Sequence, residues 1–375
     1  MSAPDLEAVD TVALRGAIAA FLAEERAAGA YQPRSDSWMR SFDRDFSRRL
    51  GERGWLGVTW PRRYGGGEQS HLARLTITEE LLRSGAPVAS HWIAERQIGP
   101  AILRYGSDAL KEEFLPPIAA GELTFCLGMS ESESGSDLAA VRTTATRDGD
   151  DFIVEGTKIW TTNAHHSQFA YVLACTDRDA DKADRLTEMI VDMDDPQVEV
   201  RPIYDLAGEH HFNEVAFDGV RVPAARVIGA VGDGWKQVTA QLAFERGGPE
   251  RFLSSYPLLE ALVEAVGDDP RAPATIGGLL ARLRALRALA WKVATLMDAG
   301  EAPVGAAAIL KMMGTRFEQD VVEAARYLVG GEPDPTDDGL LGMIADAQLA
   351  MPGISLRGGA TEILSGIVAR TIKSA

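Results

Sequence analysis

The chain has 375 residues, of which 46% are hydrophobic and 25% charged, and its formal net charge is −17. A chain of this length exceeds one ordinary core, so we expect two or three packed regions in a globular protein. The negative charge argues against nucleic acid as a partner, because contact with a phosphate backbone needs clustered lysine and arginine. A local patch for a phosphorylated ligand is compatible with this charge.

The sequence also argues against membrane and secreted proteins. No apolar run approaches the roughly 20 residues of a membrane helix, and the N-terminal sequence lacks the charged start and apolar core of a signal peptide. Cys126 and Cys175 are the two cysteines, which is too few for a disulfide framework. We therefore expect a cytoplasmic protein without a membrane partner.

The first third of the chain has a helical pattern. From Leu6 to about Gly121, apolar residues recur at three- and four-residue steps. The segment TITEELLRS combines good helix formers with a Thr-x-x-Glu start at Thr76, which is typical of a helix N-terminus. This part of the chain is predicted to be a helical domain.

The period changes to two from about Leu123 to Val222. Residues 143–147 and 152–159 predict a hairpin, because the Asp148-Gly149 pair between them suits a tight turn. Four further strand candidates follow, with the sequences FAYVLACT, LTEMIVDM, VEVRPIY and FNEVAFDGVRV. A small antiparallel sheet or barrel is predicted.

The helical period returns from about Gly234. An apolar stripe from Ile276 to Leu296 predicts one helix, and further helices are predicted from Ala306 to Val329 and from Thr361 to Lys373. Short connections favour an antiparallel bundle. The fold class is therefore α+β, with an N-terminal helical domain (1–122), a central antiparallel β-barrel or sheet domain (123–229) and a C-terminal helical bundle (230–375).

Several common signatures are absent. The sequence contains no G-x-G-x-x-G, no P-loop and no C-x-x-C, which disfavours a classical dinucleotide fold, a P-loop nucleotidase and a zinc ribbon. The pairs His165-His166 and His210-His211 are the other metal candidates. Neighbours on a strand point to opposite faces, so neither pair can chelate one metal alone, and we predict no metal site.

Two segments carry the most chemical information, FCLGMSESESGSD (125–137) and GTKIWTTN (156–163). The small and hydroxyl residues of the first let backbone N–H groups approach a diphosphate or a reduced flavin ring. In the second, Trp160 offers a flat apolar face and Thr162 a hydroxyl two residues on, which places both on the same face of a strand. A flavin needs these two groups. The alternative is an ordinary Ser/Gly loop and a core tryptophan.

These two segments also carry a family resemblance. ESGSDLAAVRTTATRDGD and GTKIWTTNA resemble the central signature of acyl-CoA dehydrogenases. The likeness extends from YGGGEQS and LRYGSDALKEEFLPPIAAGELTF to GEHHFNEVAFDGVRVPAARVIGAVGDGWKQ and RGGATEI, which covers nearly the whole chain. It implies the helical, β, helical fold of that family, bound FAD, and α,β-dehydrogenation of an acyl-CoA thioester.

The resemblance also implies which residues bind the cofactor. Ser136 matches a serine near the FAD pyrophosphate and the substrate, and Ser132 departs from the family by replacing a common proline. Trp160 matches the aromatic residue beside the flavin, and Thr162 the hydroxyl donor to its N5. The remaining implied FAD contacts come from the strand segment at the pyrimidine end of the flavin and from the residue next to Trp160: Leu127, Gly128, Met129, Ser130 and Thr161.

The catalytic base is expected elsewhere. In much of the family it is a glutamate near the C-terminus, but Gly358 occupies that position here. A second family pattern, L-x-x-E-R, matches residues 242–246, so we expect Glu245 to be the base. Gly358 would then give a backbone N–H to the thioester carbonyl, and Arg246 would hold the carboxylate or bind the ligand. Glu362 is a lesser candidate, and a simple ion pair on a solvated helix face is the alternative for Glu245.

The resemblance weakens where relatives bind FAD across a subunit interface. Arg251-Phe252-Leu253 and Val329-Gly330-Gly331 stand in place of the usual motifs. The expected assembly is a homodimer or homotetramer, or a heteromer with a related subunit, with an electron-transferring flavoprotein as electron acceptor. Similar bundles occur in bacterial relatives that act on bulky or cyclic acyl-CoAs, including steroid side chains. A flavin oxidase or monooxygenase and a non-catalytic subunit are the alternatives.

Overall fold

The computed structural model describes residues 11–374, apart from the side chains of residues 242–245 and 374. The N-terminal helices are α1 (Thr11–Ala27), α2 (Ser37–Arg40), α3 (Arg44–Glu52), α4 (His71–Arg83), α5 (Ala89–Ile93), α6 (Gly99–Tyr105) and α7 (Asp108–Ala119). The strands are β1 (Phe125–Gly128), β2 (Thr144–Asp148), β3 (Asp151–Lys158), β4 (Phe169–Cys175), β5 (Leu186–Asp192), β6 (Val198–Tyr204), β7 (His210–Pro223) and β8 (Val227–Ile228). The C-terminal helices are α8 (Gly234–Glu245), α9 (Tyr256–Ala265), α10 (Ala272–Asp298), α11 (Val304–Val329), α12 (Leu340–Ile354) and α13 (Thr361–Ser374).

This order of helices, strands and helices confirms the predicted α+β class. The predicted start at Leu6 lies outside the described residues. By contact density the chain forms two units: Met1–Phe42, Gln69–Val88 and Ala243–Ala375 make up the first, and Asp43–Glu68 with Ala89–Leu242 the second. The domain boundaries after residues 122 and 229 stay predictions.

The first unit contains the long C-terminal helices. The apolar stripe predicted for α10 is buried, with Ile276, Leu283, Leu286 and Val293 facing its core. In contrast, α4 begins at His71 and not at Thr76. The Ser70 hydroxyl accepts the Ala73 N–H at 3.1 Å and so caps the helix five residues earlier. No helix within residues 11–374 is long and apolar enough to cross a membrane.

The second unit is built around one sheet with the order β6-β7-β3-β2-β4-β5-β8, and β1 pairs with β4. Most strand pairs are antiparallel, as predicted, but the sheet is mixed. β1 runs parallel to β4, and β2 makes one parallel contact with β4. The β2–β3 hairpin lies between β1 and β4 in the chain, which supplies the long connection that a parallel pair requires.

The β2–β3 hairpin is confirmed. Asp148 pairs with Asp151, which leaves Gly149 and Asp150 as the two loop residues. Gly149 has a φ of +63°, a conformation that costs glycine little because it has no Cβ. The turn chemistry therefore fixes the register of β3, the strand that leads to the candidate site.

Both faces of β4 are buried, so the strand is apolar along its length. Ala170, Val172 and Ala174 pack with residues of β2, β3, β5 and β7 in one core cluster. Tyr171 points the other way, into a cluster formed largely by α6 and α7. Cys126 and Cys175 are buried and free.

A polar group interrupts the second cluster. Tyr171 Oη donates to Glu188 Oε2 at 2.5 Å, and Gln241 Nε2 donates to the same oxygen at 3.1 Å. Burial raises the pKa of Glu188 to about 8, although the hydrogen bonds from Tyr171 and Gln241 act to lower it. Glu188 is therefore held neutral at moderate pH.

This raised pKa predicts a pH-dependent stability. The carboxyl ionises at its ordinary value of 4.5 when exposed and at about 8 when folded. Its stabilising contribution is complete below pH 4.5 and is lost as the pH rises through 8. In Glu188→Gln, which cannot ionise, the free energy of unfolding should fall less between pH 5 and pH 8 than in the wild type. Urea denaturation at both pH values measures this difference. Glu264→Gln, at an exposed position of α9, is the control, and parallel pH profiles for wild type and Glu188→Gln would contradict the assignment.

Candidate functional site

The turn after β3 carries the predicted tryptophan. β3 ends at Lys158, and Trp160 has a φ of +59°, which is rare for a bulky residue. Its side chain is 56% exposed and meets Phe212 edge-to-face, with ring centroids 5.7 Å apart. The expectation that Trp160 and Thr162 share one face of a strand is wrong, because the chain leaves the extended conformation at Trp160. A core tryptophan is equally excluded by this exposure.

The turn is fastened to β7 by main-chain hydrogen bonds. Thr161 N donates to Asn213 O at 2.9 Å, and Asn163 N donates to His211 O at 2.7 Å. Thr161 and Thr162 are both buried beneath the turn, at 1% and 8% exposure. The Thr161 hydroxyl has no hydrogen-bond partner among the described residues.

The end of β1 lies beside this turn. Ser130 O accepts the Ile159 N–H at 2.9 Å, and Met129 O accepts Lys158 Nζ at 3.1 Å. Leu127 and Gly128 precede them in β1, where a Cβ on Gly128 would lie 3.3 Å from Val172 Cγ2. The fold thus brings together the two segments that the sequence singles out.

A buried ion pair joins the two segments. Lys158 Nζ donates to Glu131 Oε1 at 2.9 Å, and the exposed fractions of the two side chains are 0% and 10%. The Glu131 carboxylate also accepts the N–H groups of Arg142 and Thr143, each at 2.8 Å. Sequence reasoning missed this pair, although a lysine on the buried face at the end of a strand could have indicated it.

The site lowers the pKa of both partners, but for different reasons. Burial lowers the pKa of Lys158 to about 8, and the charge of Glu131 opposes that change. Burial would raise the pKa of Glu131, but the charge of Lys158 and the bonds from Thr143 and Lys158 outweigh it and lower the pKa. At neutral pH both groups are charged.

Removal of one partner should therefore be costly. Lys158→Met leaves the Glu131 carboxylate without its counter-charge, and a broken buried pair costs roughly 3–5 kcal/mol. We expect urea denaturation to show a loss of about 3 kcal/mol in the free energy of unfolding. The double variant Lys158→Met/Glu131→Gln should recover part of the loss. A double variant that is less stable than Lys158→Met would contradict the pairing.

The serine-rich loop is held by its own bonds. Glu131 and Ser134 exchange two main-chain hydrogen bonds, and Ser134 Oγ donates to Asp137 O at 2.6 Å. Ser136 is exposed on this loop. The loop therefore leaves the Ser136 side chain accessible to a ligand.

The predicted substrate residues Arg246 and Gly358 contact each other in the first unit. Arg246 Nε donates to Gly358 O at 3.2 Å. Gly358 has a φ of +68°, and a Cβ there would lie 2.8 Å from Arg251 Nη1. A side chain at position 358 would therefore be strained by the backbone and would have to displace the Arg251 guanidinium. Arg357 precedes Gly358, and its Nη1 donates a hydrogen bond to Asp36 Oδ2 at 2.7 Å.

The two candidate bases lie on different helices. Glu245 is the last residue of α8, and its side chain lies outside the described part of the structure. Glu362 is exposed in the first turn of α13, where a carboxylate favourably meets the positive end of the helix dipole.

The two histidine pairs, 165–166 and 210–211, meet beside the Trp160 turn. The rings of His165 and His210 stack with centroids 3.9 Å apart and an interplanar angle of 19°. Burial, followed by the neighbouring His166, lowers the pKa of His165 to about 4. His211 also lies near the carboxylates of Asp205 and Glu209, and its Nδ1 is 3.7 Å from Asp205 Oδ2. The other oxygen of Asp205 accepts the N–H groups of Ala207 and Glu209, as in a tight turn.

Comparison with known proteins decides the family. Residues 10–122 match the model of the acyl-CoA dehydrogenase N-terminal domain, residues 126–220 that of the middle domain and residues 260–373 that of the C-terminal domain. The chain belongs to the acyl-CoA dehydrogenase family. Members of this family are flavoproteins and oxidoreductases that act on CH–CH groups.

Individual acyl-CoA dehydrogenases resemble the chain over most of its length. "Acyl-CoA dehydrogenase FadE29" of Mycobacterium tuberculosis is 34% identical over 334 residues, which are 86% of each protein. The solved structure "Tcur3481-Tcur3483 steroid ACAD" matches with a TM-score of 0.86 and 27% identity over 98% of each chain. The ChsE4-ChsE5 complex from Mycobacterium tuberculosis gives 0.81 and 27%, over 100% of this chain and 98% of the other.

For an acyl-CoA dehydrogenase, the Trp160 turn must suit a flavin, and its chemistry does. An exposed indole offers a flat apolar surface that a planar ring would cover. The buried Thr161 hydroxyl without a described partner and the backbone at the end of β1 add polar groups next to it. These residues fit the expected cofactor.

Proposed function

We propose that this acyl-CoA dehydrogenase binds FAD and introduces a double bond between the α- and β-carbons of an acyl-CoA thioester. The observation that carries the proposal is the indole of Trp160, which a left-handed backbone holds in an exposed position beside the end of β1. Leu127, Gly128, Met129, Ser130, Ser136, Thr161 and Thr162 complete the proposed FAD site.

Bound FAD supplies a two-electron acceptor for the hydride that leaves the β-carbon. Groups of the chain itself would orient the cofactor and substrate, take the proton and stabilise the developing charge. The Thr162 hydroxyl would donate a hydrogen bond to flavin N5, and Ser136 would contact the cofactor and the substrate. The Glu245 carboxylate takes the α-proton, and the Gly358 N–H stabilises negative charge on the thioester oxygen. Arg246 keeps Gly358 in place through its bond to the Gly358 carbonyl.

The assignment of the base rests on exclusion as well as on the L-x-x-E-R pattern. Position 358 is a glycine and carries no carboxylate, and its backbone φ of +68° disfavours any larger residue there. Glu362 is exposed to solvent, where a base is not kept dry. Glu245 is the remaining family position.

A change at the base tests this assignment. Glu245→Gln removes the proton acceptor but keeps the size of the side chain, so the protein should stay yellow and lose at least about 1,000-fold in kcat. Absorbance measures the bound FAD, and dye reduction measures turnover. Glu362→Gln is the control and should keep most of its activity. An active Glu245→Gln together with an inactive Glu362→Gln would reverse the assignment.

We further propose a bulky cyclic acyl-CoA, such as a steroid-derived thioester, as the substrate class. The similarity to a protein described as a steroid acyl-CoA dehydrogenase supports it. We propose an electron-transferring flavoprotein as the acceptor and the cytoplasm as the location. We propose assembly as a homodimer or homotetramer, or with a related subunit as in the ChsE4-ChsE5 complex.

Anaerobic titration with a panel of acyl-CoAs tests cofactor, activity and substrate together. Cyclic acyl-CoAs should bleach the flavin absorbance at lower concentration than linear ones of equal carbon number. Rapid oxygen consumption by the reduced protein would identify an oxidase instead. A colourless protein that refuses added FAD would refute the proposal, and FAD binding restored by co-expression with a related chain would identify a partner subunit.

A further inference from the structure

One amide side chain of β7 binds the Trp160 turn in addition to the main-chain hydrogen bonds. Asn213 is 0% exposed, and its Nδ2 donates to Thr161 O at 2.9 Å. Its main-chain oxygen accepts the Thr161 N–H, also at 2.9 Å. Both main-chain polar groups of the residue after Trp160 are thus bonded to Asn213.

The chemistry of these atoms fixes how the amide is oriented. A backbone carbonyl can only accept a hydrogen bond, so the Asn213 nitrogen must face Thr161 and Oδ1 must face the other way. On that side His210 Nε2 lies 2.7 Å from Oδ1. Since Oδ1 can only accept, His210 must carry a proton on Nε2.

The same segment holds His210 in place. His165, two residues after Asn163, stacks on the His210 ring at 3.9 Å, and the Tyr204 ring lies 5.7 Å away on β6. Burial and the neighbouring His166 lower the pKa of His165 to about 4, so the stack contains no charged His165 at neutral pH. The Trp160 turn, the Asn213 amide and the rings of His165 and His210 are therefore in mutual contact.

We propose that Asn213 and His210 are positioning residues, which lock the turn after β3 so that Trp160 and Thr162 are preset for the flavin ring. Neither residue is assigned to touch the cofactor. Asn213 acts on Thr161, whose C=O its side chain binds and whose N–H its main-chain oxygen binds, and His210 acts by orienting the Asn213 amide. This inference rests on the proposed flavin site, but the locking itself is a property of the protein without cofactor.

Asn213→Asp is the sharpest test, because it keeps the shape and the acceptor for His210 and loses the donor to Thr161. We expect hydrogen exchange of a peptide covering residues 159–166 to become faster in the protein without FAD. With FAD, we expect about tenfold weaker binding, the usual value of one buried hydrogen bond. The bound flavin should fluoresce more, because an indole in contact quenches it, and kcat should fall while KM for the acyl-CoA stays within about twofold.

Changes at His210 give an independent test. His210→Gln retains an amide N–H near the position of Nε2 and should keep FAD affinity near that of the wild type. His210→Phe keeps a flat ring for the stack but has no donor, and should behave like Asn213→Asp. Glu214→Gln is the matched control on the same strand, since Glu214 bonds to Arg201 and not to the turn. It should leave exchange and FAD binding unchanged.

The outcomes separate this inference from the proposed function. Wild-type exchange and FAD affinity in both Asn213→Asp and His210→Phe would overturn the inference while the proposed function stands. A lower melting temperature in these variants, with unchanged flavin fluorescence and exchange, would show a merely structural role and also overturn it. Faster exchange in Asn213→Asp, together with a wild type that binds no FAD, would support the lock and refute the flavin site.

Discussion

The buried ion pair between Lys158 and Glu131 joins the ends of β1 and β3, and the candidate site is built on that junction. A lysine with a fully buried side chain is stable as a charge only when a carboxylate and further acceptors surround it. Glu131 and the Met129 carbonyl supply them, and the N–H groups of Arg142 and Thr143 hold Glu131 in turn. Segments almost thirty residues apart are thereby held side by side, in the arrangement that the flavin proposal requires.

Two residues after Lys158, Trp160 adopts a left-handed backbone conformation that is unfavourable without surrounding contacts. A non-glycine residue in the left-handed region costs roughly 1–3 kcal/mol, and Trp160 is such a residue. The bonds to β7 and the buried Thr161 and Thr162 offset that cost. The result is a large aromatic ring fixed on the surface. Strain of this kind persists at functional sites, where it presents a side chain in one orientation.

The C-terminal segment shows a different constraint. Gly358 is bonded to Arg246 and crowded by Arg251, and Asp36 anchors the adjacent Arg357. The positive φ and these contacts favour a glycine at position 358. The proposed base Glu245 precedes Arg246 directly, so the bond from Arg246 to Gly358 links the proposed base helix to the loop that would meet the thioester oxygen.

The sequence alone determined the order of helices, strands and helices, the β2–β3 hairpin and the apolar stripe of α10, because these follow from local periodicity and turn chemistry. It did not predict the parallel β1–β4 pairing, the cap at Ser70, the left-handed Trp160 or the Lys158–Glu131 pair. The cap at Ser70 is local, but the other three depend on residues far apart in the chain: β4 approaches β1 only after a hairpin intervenes, and Asn213 meets Thr161 from the strand next to β3. Local pattern fixes which elements form, whereas only tertiary packing decides which polar groups are buried together and which strained conformation they stabilise.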